Sequence, residues 1–289
     1  MLQRFKVAVL AQVRRGREVA WTPEFMGFGN VLLLLMWAQA RRELGKAAYV
    51  LVRPGLEHWL EVFPGLRDLA LTKAEVRFTD RRVMPWSAAA REQRVEYTVA
   101  PHQSIDIAQM ERLIREHLLV GSPLLPAGGA SDDDGCLVVN VRRGDYYSDD
   151  DNRARYGFDV ERYLREAVPA AVRQRGGATS IHIVSDGPDW CREHLGWLAD
   201  LAPLTFAPTG DDAVVHFVRI ASSRRIVVTN STFSYCAAYV SNVLHGDNHD
   251  EVWAPDFFDR TQNGGRSWLL DSRWSVVRDL PGGWDVPAG

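Results

Sequence analysis

Leu137-Val138-Val139-Asn140-Val141-Arg142-Arg143-Gly144-Asp145 is the stretch on which the fold turns. A short apolar run ends abruptly in two arginines, a glycine and an aspartate. Side chains alternate along a strand, so Asn140 and Arg142 share one face, and Val139, Val141 and Arg143 share the other. Two arginines at a strand end are costly unless paired or solvated. Asp145 is placed to hold one of them, which leaves the other to hold an anion through a charge-assisted, bidentate bond. An arginine–aspartate pair that merely closes a turn is the simpler reading of the same residues.

On either side, apolar runs alternate with helical patterns. Cys136 to Val141 reads as a strand, and Phe158 to Arg175 as a helix stopped by Gly176-Gly177. Ile181 to Ser185 is a strand, Pro188 to Leu195 and Asp212 to Ser222 are helices, Arg225 to Thr229 is a strand, and Ser231 to Leu244 is a helix. Such alternation predicts a parallel sheet covered by helices on both faces. Upstream, Phe5 to Val13 reads as a strand, Gly27-Phe28-Gly29-Asn30 as a loop, Val31 to Leu44 as a helix and Ala47 to Val52 as a strand. Ile105 to Leu119 has helical spacing. Gly121 to Gly135, rich in Gly, Pro and Asp, reads as a linker. The predicted class is α/β, with an N-terminal domain over 1–130 and a C-terminal domain over 131–289.

Ligands of open α/β sheets bind beyond the carboxyl ends of the strands. Besides Arg142, two other strand ends carry suitable groups. Asp186 follows Ile183-Val184-Ser185 and can accept from ribose hydroxyls or a guanine edge, or cap the next helix. Asn230-Ser231-Thr232-Phe233-Ser234 leads from a buried strand into a helix, whose first amides suit a diphosphate. A plain Ser/Thr cap is the alternative there. The Gly27 to Asn30 loop offers a close backbone approach to a phosphate.

Composition removes several classes. The 289 residues carry a formal net charge of −3 and a pI near 6.3, unlike a general nucleic-acid binder. No lysine follows Lys73, so the second half holds no Walker-type phosphate loop. Cys136, Cys191 and Cys236 are too few and too scattered for a disulfide framework or a cysteine zinc site. They fit a reducing cytoplasm. The longest apolar run, Val31 to Trp37, is shorter than a membrane span. Asp132-Asp133-Asp134 and Asp149-Asp150-Asp151 satisfy the D-x-D string of metal-dependent transferases only trivially, and read as solvated acidic loops. Arg41-Arg42 and Arg81-Arg82 read as solvated surface, with peripheral contact to anionic lipid on the inner membrane face as the other option.

Taken in order, these segments resemble the α1,2-fucosyltransferases of glycosyltransferase family 11, with α1,6- and protein O-fucosyltransferases as relatives. The family pattern H-x-R-R-G-D-Y appears as Asn140-Val141-Arg142-Arg143-Gly144-Asp145-Tyr146. N-S-T-F-S appears as Asn230 to Ser234, the G-x-G-N loop as Gly27 to Asn30, and S-D with a following W-C as Ser185-Asp186 and Trp190-Cys191. Ala254-Pro255 matches the late A-P segment.

The resemblance implies a GT-B-like pair of Rossmann-like domains, the C-terminal one holding the donor and the N-terminal one facing a glycan acceptor. It implies GDP-fucose as donor, inversion at the sugar carbon and no required metal. Arg142 would hold the diphosphate and act in catalysis, and Asp186 would hold the guanine. Gly29, Asn30, Asn140, Ser231, Thr232 and Ser234 would complete the donor site. The acceptor implied is the 2-hydroxyl of a galactoside. The chain departs from the family at Asn140, which stands where the family has histidine and cannot carry a proton. That departure keeps open a nucleotide-sugar-binding protein without turnover, as well as a different donor. Glu24, Asp145 and Asp149 are candidates for the general base by position only. The oligomeric state is not legible.

Overall fold

The computed structural model describes residues 12–83, 105–125 and 135–280. They fall into two compact units, 12–83 with 106–124, and 105 with 125 and 135–280.

The first unit is built on four parallel strands, β1 (Glu18–Trp21), β2 (Ala48–Leu51), β3 (Ala70–Leu71) and β4 (Arg81–Val83), in the order β3-β2-β1-β4. Helix α1 (Phe28–Glu43) joins β1 to β2. Every residue of α1 from Phe28 to Gln39 except Asn30 is buried, as a helix apolar on all sides requires. Gly45, at φ +73°, ends it in the left-handed region that glycine adopts without cost. The short helix α2 (Trp59–Val62) stacks Trp59 on Phe28 with ring centroids 3.8 Å apart. Helix α3 (Ile107–Leu113), capped by Asp106, runs on into a π-helical turn over Ile114–Leu118. The helix expected over 105–119 is therefore present.

Two upstream expectations are corrected. Of the strand expected over 5–13, residues 5–11 lie outside the described residues, and Gln12 and Val13 are helical. The first described strand is β1. It starts at Glu18, next to Arg17, and this charged start hid it from the apolar pattern. The loop expected over Gly27 to Asn30 is mostly helix: α1 starts at Phe28, so Gly29 and Asn30 lie in its first turn and only Gly27 precedes it. Phe28 drives this early start, because its ring is buried against Trp59 and Phe63.

The second unit carries six parallel strands, β5 (Cys136–Val141), β6 (Ser180–Ser185), β7 (Leu204–Phe206), β8 (Arg225–Val228), β9 (Val252–Pro255) and β10 (Ser275–Val277). Their order is β10-β9-β8-β5-β6-β7. The helices are α4 (Gly144–Ser148), α5 (Asp150–Tyr156), α6 (Val160–Gln174), α7 (Pro188–His194), α8 (Ala213–Ser222) and α9 (Thr232–His245). All six residues of β5 are buried. Leu137, Val139 and Val141 pack with Tyr163, Leu164, Ala167 and Val168 of α6 in one core cluster. The opposite face of β5 carries Asn140. The three cysteines are free and buried.

Each unit is thus an α/β layer structure on an all-parallel sheet, the composition of the expected class. Within the second sheet the chain steps from β5 to β6 and β7 on one side, then returns to β8 on the other side of β5. The order therefore reverses between β5 and β8. That switch point, at the carboxyl ends of the strands, is where such sheets bind ligands. Among the described residues no helix is long and apolar enough to cross a membrane.

Candidate donor-nucleotide site

The site grows from the ends of β5, β6 and β8. As the chain leaves β5, Arg142 N donates to Thr229 Oγ1 at 2.8 Å, which ties the ends of β5 and β8 together at the switch point. Arg142 Nη1 donates to Asp186 Oδ2, and Nη2 to Asp145 Oδ1. The backbone N–H of Arg143 donates to the other Asp186 oxygen at 2.6 Å. Two of the three guanidinium nitrogens are thereby fixed by carboxylates. The third, Arg142 Nε, is buried and has no hydrogen-bond partner among the described residues. A buried donor of this kind is costly unless water or a ligand accepts from it.

Gly144 makes this cluster possible. It turns the chain at φ +27°, and a Cβ there would fall on Asp186 Oδ2. Gly187 has a related role. A Cβ on it would lie 2.6 Å from Cβ of Arg143. Arg143 points away from Arg142 and is held between aromatic rings, its guanidinium carbon 3.5 Å from the Tyr147 centroid and 4.0 Å from that of Trp190. Arg142 itself lies 5.0 Å from the Tyr146 ring, which stacks on Tyr156 at 4.5 Å. Burial holds the Tyr146 phenol neutral by raising its pKa far above the ordinary value.

The start of α9 meets the same switch point. Ser231 occupies the N-cap position but makes no side-chain capping bond. The positive end of a 14-residue helix is thus left without a side-chain cap, the arrangement that favours an anion. Thr232 opens the helix and is partly buried. Ser234 differs from the expectation that it lines a phosphate pocket: it is 1% exposed, and its hydroxyl donates to Asn140 Oδ1. Asn140 is likewise used inside the protein, with Nδ2 donating to Val184 O at 3.0 Å. The Asn140 amide thus ties β5, β6 and α9 together. Asp145 holds one of the two arginines as expected, and that one is Arg142, which Asp186 holds as well; the other, Arg143, lies between Tyr147 and Trp190. The N-cap of α7 is Gly187, so the helix-cap alternative for Asp186 does not hold.

Gly29 and Asn30 belong to the first unit and are described there alone. Gly29 is buried in the first turn of α1, and Asn30 donates its backbone N–H to Gly27 O at 3.1 Å. Of the base candidates, Asp145 pairs with Arg142, Asp149 caps α5 by accepting from Asn152 N at 2.9 Å, and Glu24 is exposed. The acidic run Asp132 to Asp134 lies outside the described residues. No group of three His, Cys, Asp or Glu side chains among the described residues is arranged to hold a metal.

Two residues carry polar atoms whose part the sequence did not show: Asn230, known there only as the start of its motif, and His216. Asn230 donates from Nδ2 to Tyr156 O at 2.8 Å and to Phe258 O at 3.0 Å, leaving Oδ1 buried without a partner among the described residues. His216 on α8 has a buried Nε2 in the same condition, and it feels the charges of Asp211, Asp186 and Asp212. Burial holds its pKa below the ordinary value and so favours the neutral ring. A lone histidine on an amphipathic helix gives no signal of this in the sequence.

Residues 129–245 match glycosyl transferase family 11. The matched segment contains Asn140, Arg142, Asp186 and Ser231 to Ser234, whereas Gly29 and Asn30 lie outside it. The chain is 33% identical over 105 residues to galactoside alpha-(1,2)-fucosyltransferase 1 of Lagothrix lagotricha, a match covering 36% of this chain and 28% of that protein. The same enzyme of Saimiri sciureus gives the same values. The chain thus spans little more than a quarter of the length of these relatives. Among solved structures, POFUT1 in complex with GDP-fucose is similar over 88% of this chain and 78% of that one, at 13% identity and a TM-score of 0.34.

Proposed function

We propose that the chain is an inverting fucosyltransferase that takes GDP-fucose as donor, needs no metal, and transfers to a glycan hydroxyl, the 2-hydroxyl of a galactoside. The observation behind it is the state of Arg142. Two carboxylates hold its Nη atoms, its Nε–H is buried without an acceptor among the described residues, and it stands at the switch point where α9 begins uncapped. The family match and the names of the relatives support fucose transfer.

In the reaction, the bond between the fucose carbon and the diphosphate oxygen breaks while the acceptor hydroxyl oxygen bonds to the opposite face and releases its proton to solvent or to the departing GDP. Negative charge gathers on the departing diphosphate. Fixed donors aimed at that charge lower the barrier without reorganising. Arg142 Nε and the first amides of α9 are such donors, with Ser231 and Thr232 beside them. Asp186 and Asp145 position Arg142 and keep it from following the leaving group. Asp186 is therefore assigned to Arg142 rather than to guanine. Asn230 Oδ1 supplies an acceptor, and His216 Nε2 a donor or an acceptor according to tautomer, for polar groups of the nucleoside.

Arg142→Ala tests this reading: fucosyl transfer falls by about 10²–10³-fold with the fold intact. Transfer within a few-fold of wild type would sink it. The alternative, nucleotide-sugar binding without turnover, rests on Asn140 in place of histidine. Slow release of GDP from GDP-fucose in water, without acceptor, separates the two, since only an enzyme breaks the bond.

A further inference from the structure

A cavity opens at the carboxyl ends of β9 and β10, in the same unit and on the same sheet as Arg142. Its volume is about 580 Å³, and Asp256, Phe257, Arg260, Arg266, Arg278 and Asp279 line it. That size lies within the roughly 300–1,000 Å³ of small-molecule sites. None of these residues enters the donor site described above.

The walls are built by two strand ends and a returning loop. Asp256 follows the last residue of β9, and Arg278 follows the last residue of β10. Asp256 N donates to Val277 O at 2.9 Å, which joins the two ends. Between them, Asn263, Gly264 and Gly265 turn the chain at φ 48°, 63° and 90°, so that Arg266 returns beside Phe257 and Asp256. Folding thus gathers three guanidinium groups that are scattered in the sequence.

Three arginines and two carboxylates, Asp256 and Asp279, share this wall. Arg266 Nε lies 3.2 Å from Asp256 Oδ2, and Arg278 Nη1 lies 4.0 Å from the same oxygen. One carboxylate therefore serves two arginines, and both keep most of their surface exposed, at 63% and 61%. Arg260 forms the deeper wall. Its guanidinium carbon lies 5.0 Å from the Phe257 ring centroid, and it donates to Ala154 O at 3.3 Å. Burial disfavours its charge enough to lower its pKa. Arginine forks of this kind match carboxylate and phosphate oxygens two at a time.

We propose that this cavity binds the carboxylate or phosphate of an acidic sugar. The loop that forms it is tied to the donor site, since Asn230 Nδ2 donates to both Phe258 O and Tyr156 O, and Arg260 N donates to Arg155 O at 3.0 Å. The acidic sugar is accordingly part of the acceptor, a clause that rests on the transferase reading above. The anion site itself does not.

The test is calorimetric titration of the full chain at low salt with galacturonate, galactose 6-phosphate and neutral galactose, each with and without excess GDP. The expected result is that at least one acidic sugar binds tenfold or more tighter than galactose, whether or not GDP is present. Preference for galacturonate assigns a carboxylate, and preference for galactose 6-phosphate a phosphate. The Arg266→Gln/Arg278→Gln double variant, altered only at exposed side chains, loses that preference while its affinity for GDP stays within twofold of wild type. Three results overturn the proposal: no acidic preference in wild type, a preference that survives the double substitution, or one abolished by GDP. Failure of GDP to bind at all strikes the donor reading alone, because the arginine dependence is read without it.

Discussion

The Ser234 hydroxyl donates to Asn140 Oδ1 across 94 positions of sequence, and Asn140 Nδ2 donates to Val184 O at 3.0 Å. One buried amide therefore locks β5 to β6 and to the first turn of α9. Asn140→Ala leaves a hydroxyl and a carbonyl unpaired in the core, at about 1–3 kcal/mol. For a chain of this size the melting temperature falls by roughly 2–12 °C. Calorimetric melting measures this. GDP affinity of the folded variant stays within about threefold, because the side chain works inside the protein. A variant with unchanged melting and abolished binding would contradict this role.

Gly144 and Asp186 cannot both keep their places if Gly144 gains a Cβ. Gly144→Ala displaces the carboxylate that holds Arg142 and also strains the turn at φ +27°. GDP affinity falls at least tenfold, about 1.4 kcal/mol, in an otherwise folded protein. Asp186→Asn falls in the same direction, since it keeps the shape but removes the charge opposing Arg142. Fluorescence titration of both variants with GDP checks the pairing. Full affinity in either would show that Arg142 needs no such support.

Stability depends on pH through His182 and His216. Burial holds both imidazoles below the ordinary value of 6.5, Arg219 adds to this at His182, and Asp211 opposes it at both. The unfolded chain therefore binds more protons than the folded one just below that pH. The stability these histidines contribute is present above about pH 6.5 and is lost as pH falls through the lower folded values. Melting temperature is expected to hold from about pH 8 to 7 and to decline towards pH 5.5. His216→Gln reduces the decline. A flat melting temperature between pH 8 and 5.5 would contradict the histidine assignment.

Asp80 and Glu75 add a separate loss at lower pH. At Asp80 burial pushes the pKa up, but hydrogen bonds from the Arg17 side chain and the Arg77 backbone outweigh it. At Glu75 the backbone and hydroxyl of Thr72 both donate to the carboxylate and lower its pKa. Each carboxylate therefore stabilises the fold above its unfolded pKa, and that contribution disappears as pH falls through the lower folded value. Asp80→Asn is expected to lower the melting temperature at neutral pH and to shrink its fall below about pH 4. An unaltered pH profile in that variant would rule out the Arg17–Asp80 pair as its source.

Much of the second unit was legible because its elements are long and locally consistent. Cys136 to Val141 is a strand over the span its apolar run predicts, and α6, α7, α8 and α9 fall within a few residues of their expected limits. Short elements were not legible. β3 has two residues and β10 has three, so neither shows a period, and each is a strand only because a neighbour pairs with it. At the site, the sequence marked Arg142, Asp186 and Ser231 as residues that follow parallel strands and so share one edge. It did not show who pairs with whom. Asp186 takes Arg142, and Ser234 takes Asn140, through contacts 44 and 94 positions apart that spacing cannot reveal.

Calorimetric titration of wild type and Arg142→Ala with GDP, GDP-fucose, GDP-mannose and UDP, each with and without EDTA, tests most directly whether Arg142 and the start of α9 hold the diphosphate of a guanine nucleotide without a metal. Wild type is expected to bind the GDP ligands in preference to UDP, with no effect of EDTA. Arg142→Ala is expected to lose at least tenfold in affinity, about 1.4 kcal/mol. Binding that needs a divalent metal, shows no preference for guanine, or survives the loss of Arg142 would contradict the assignment.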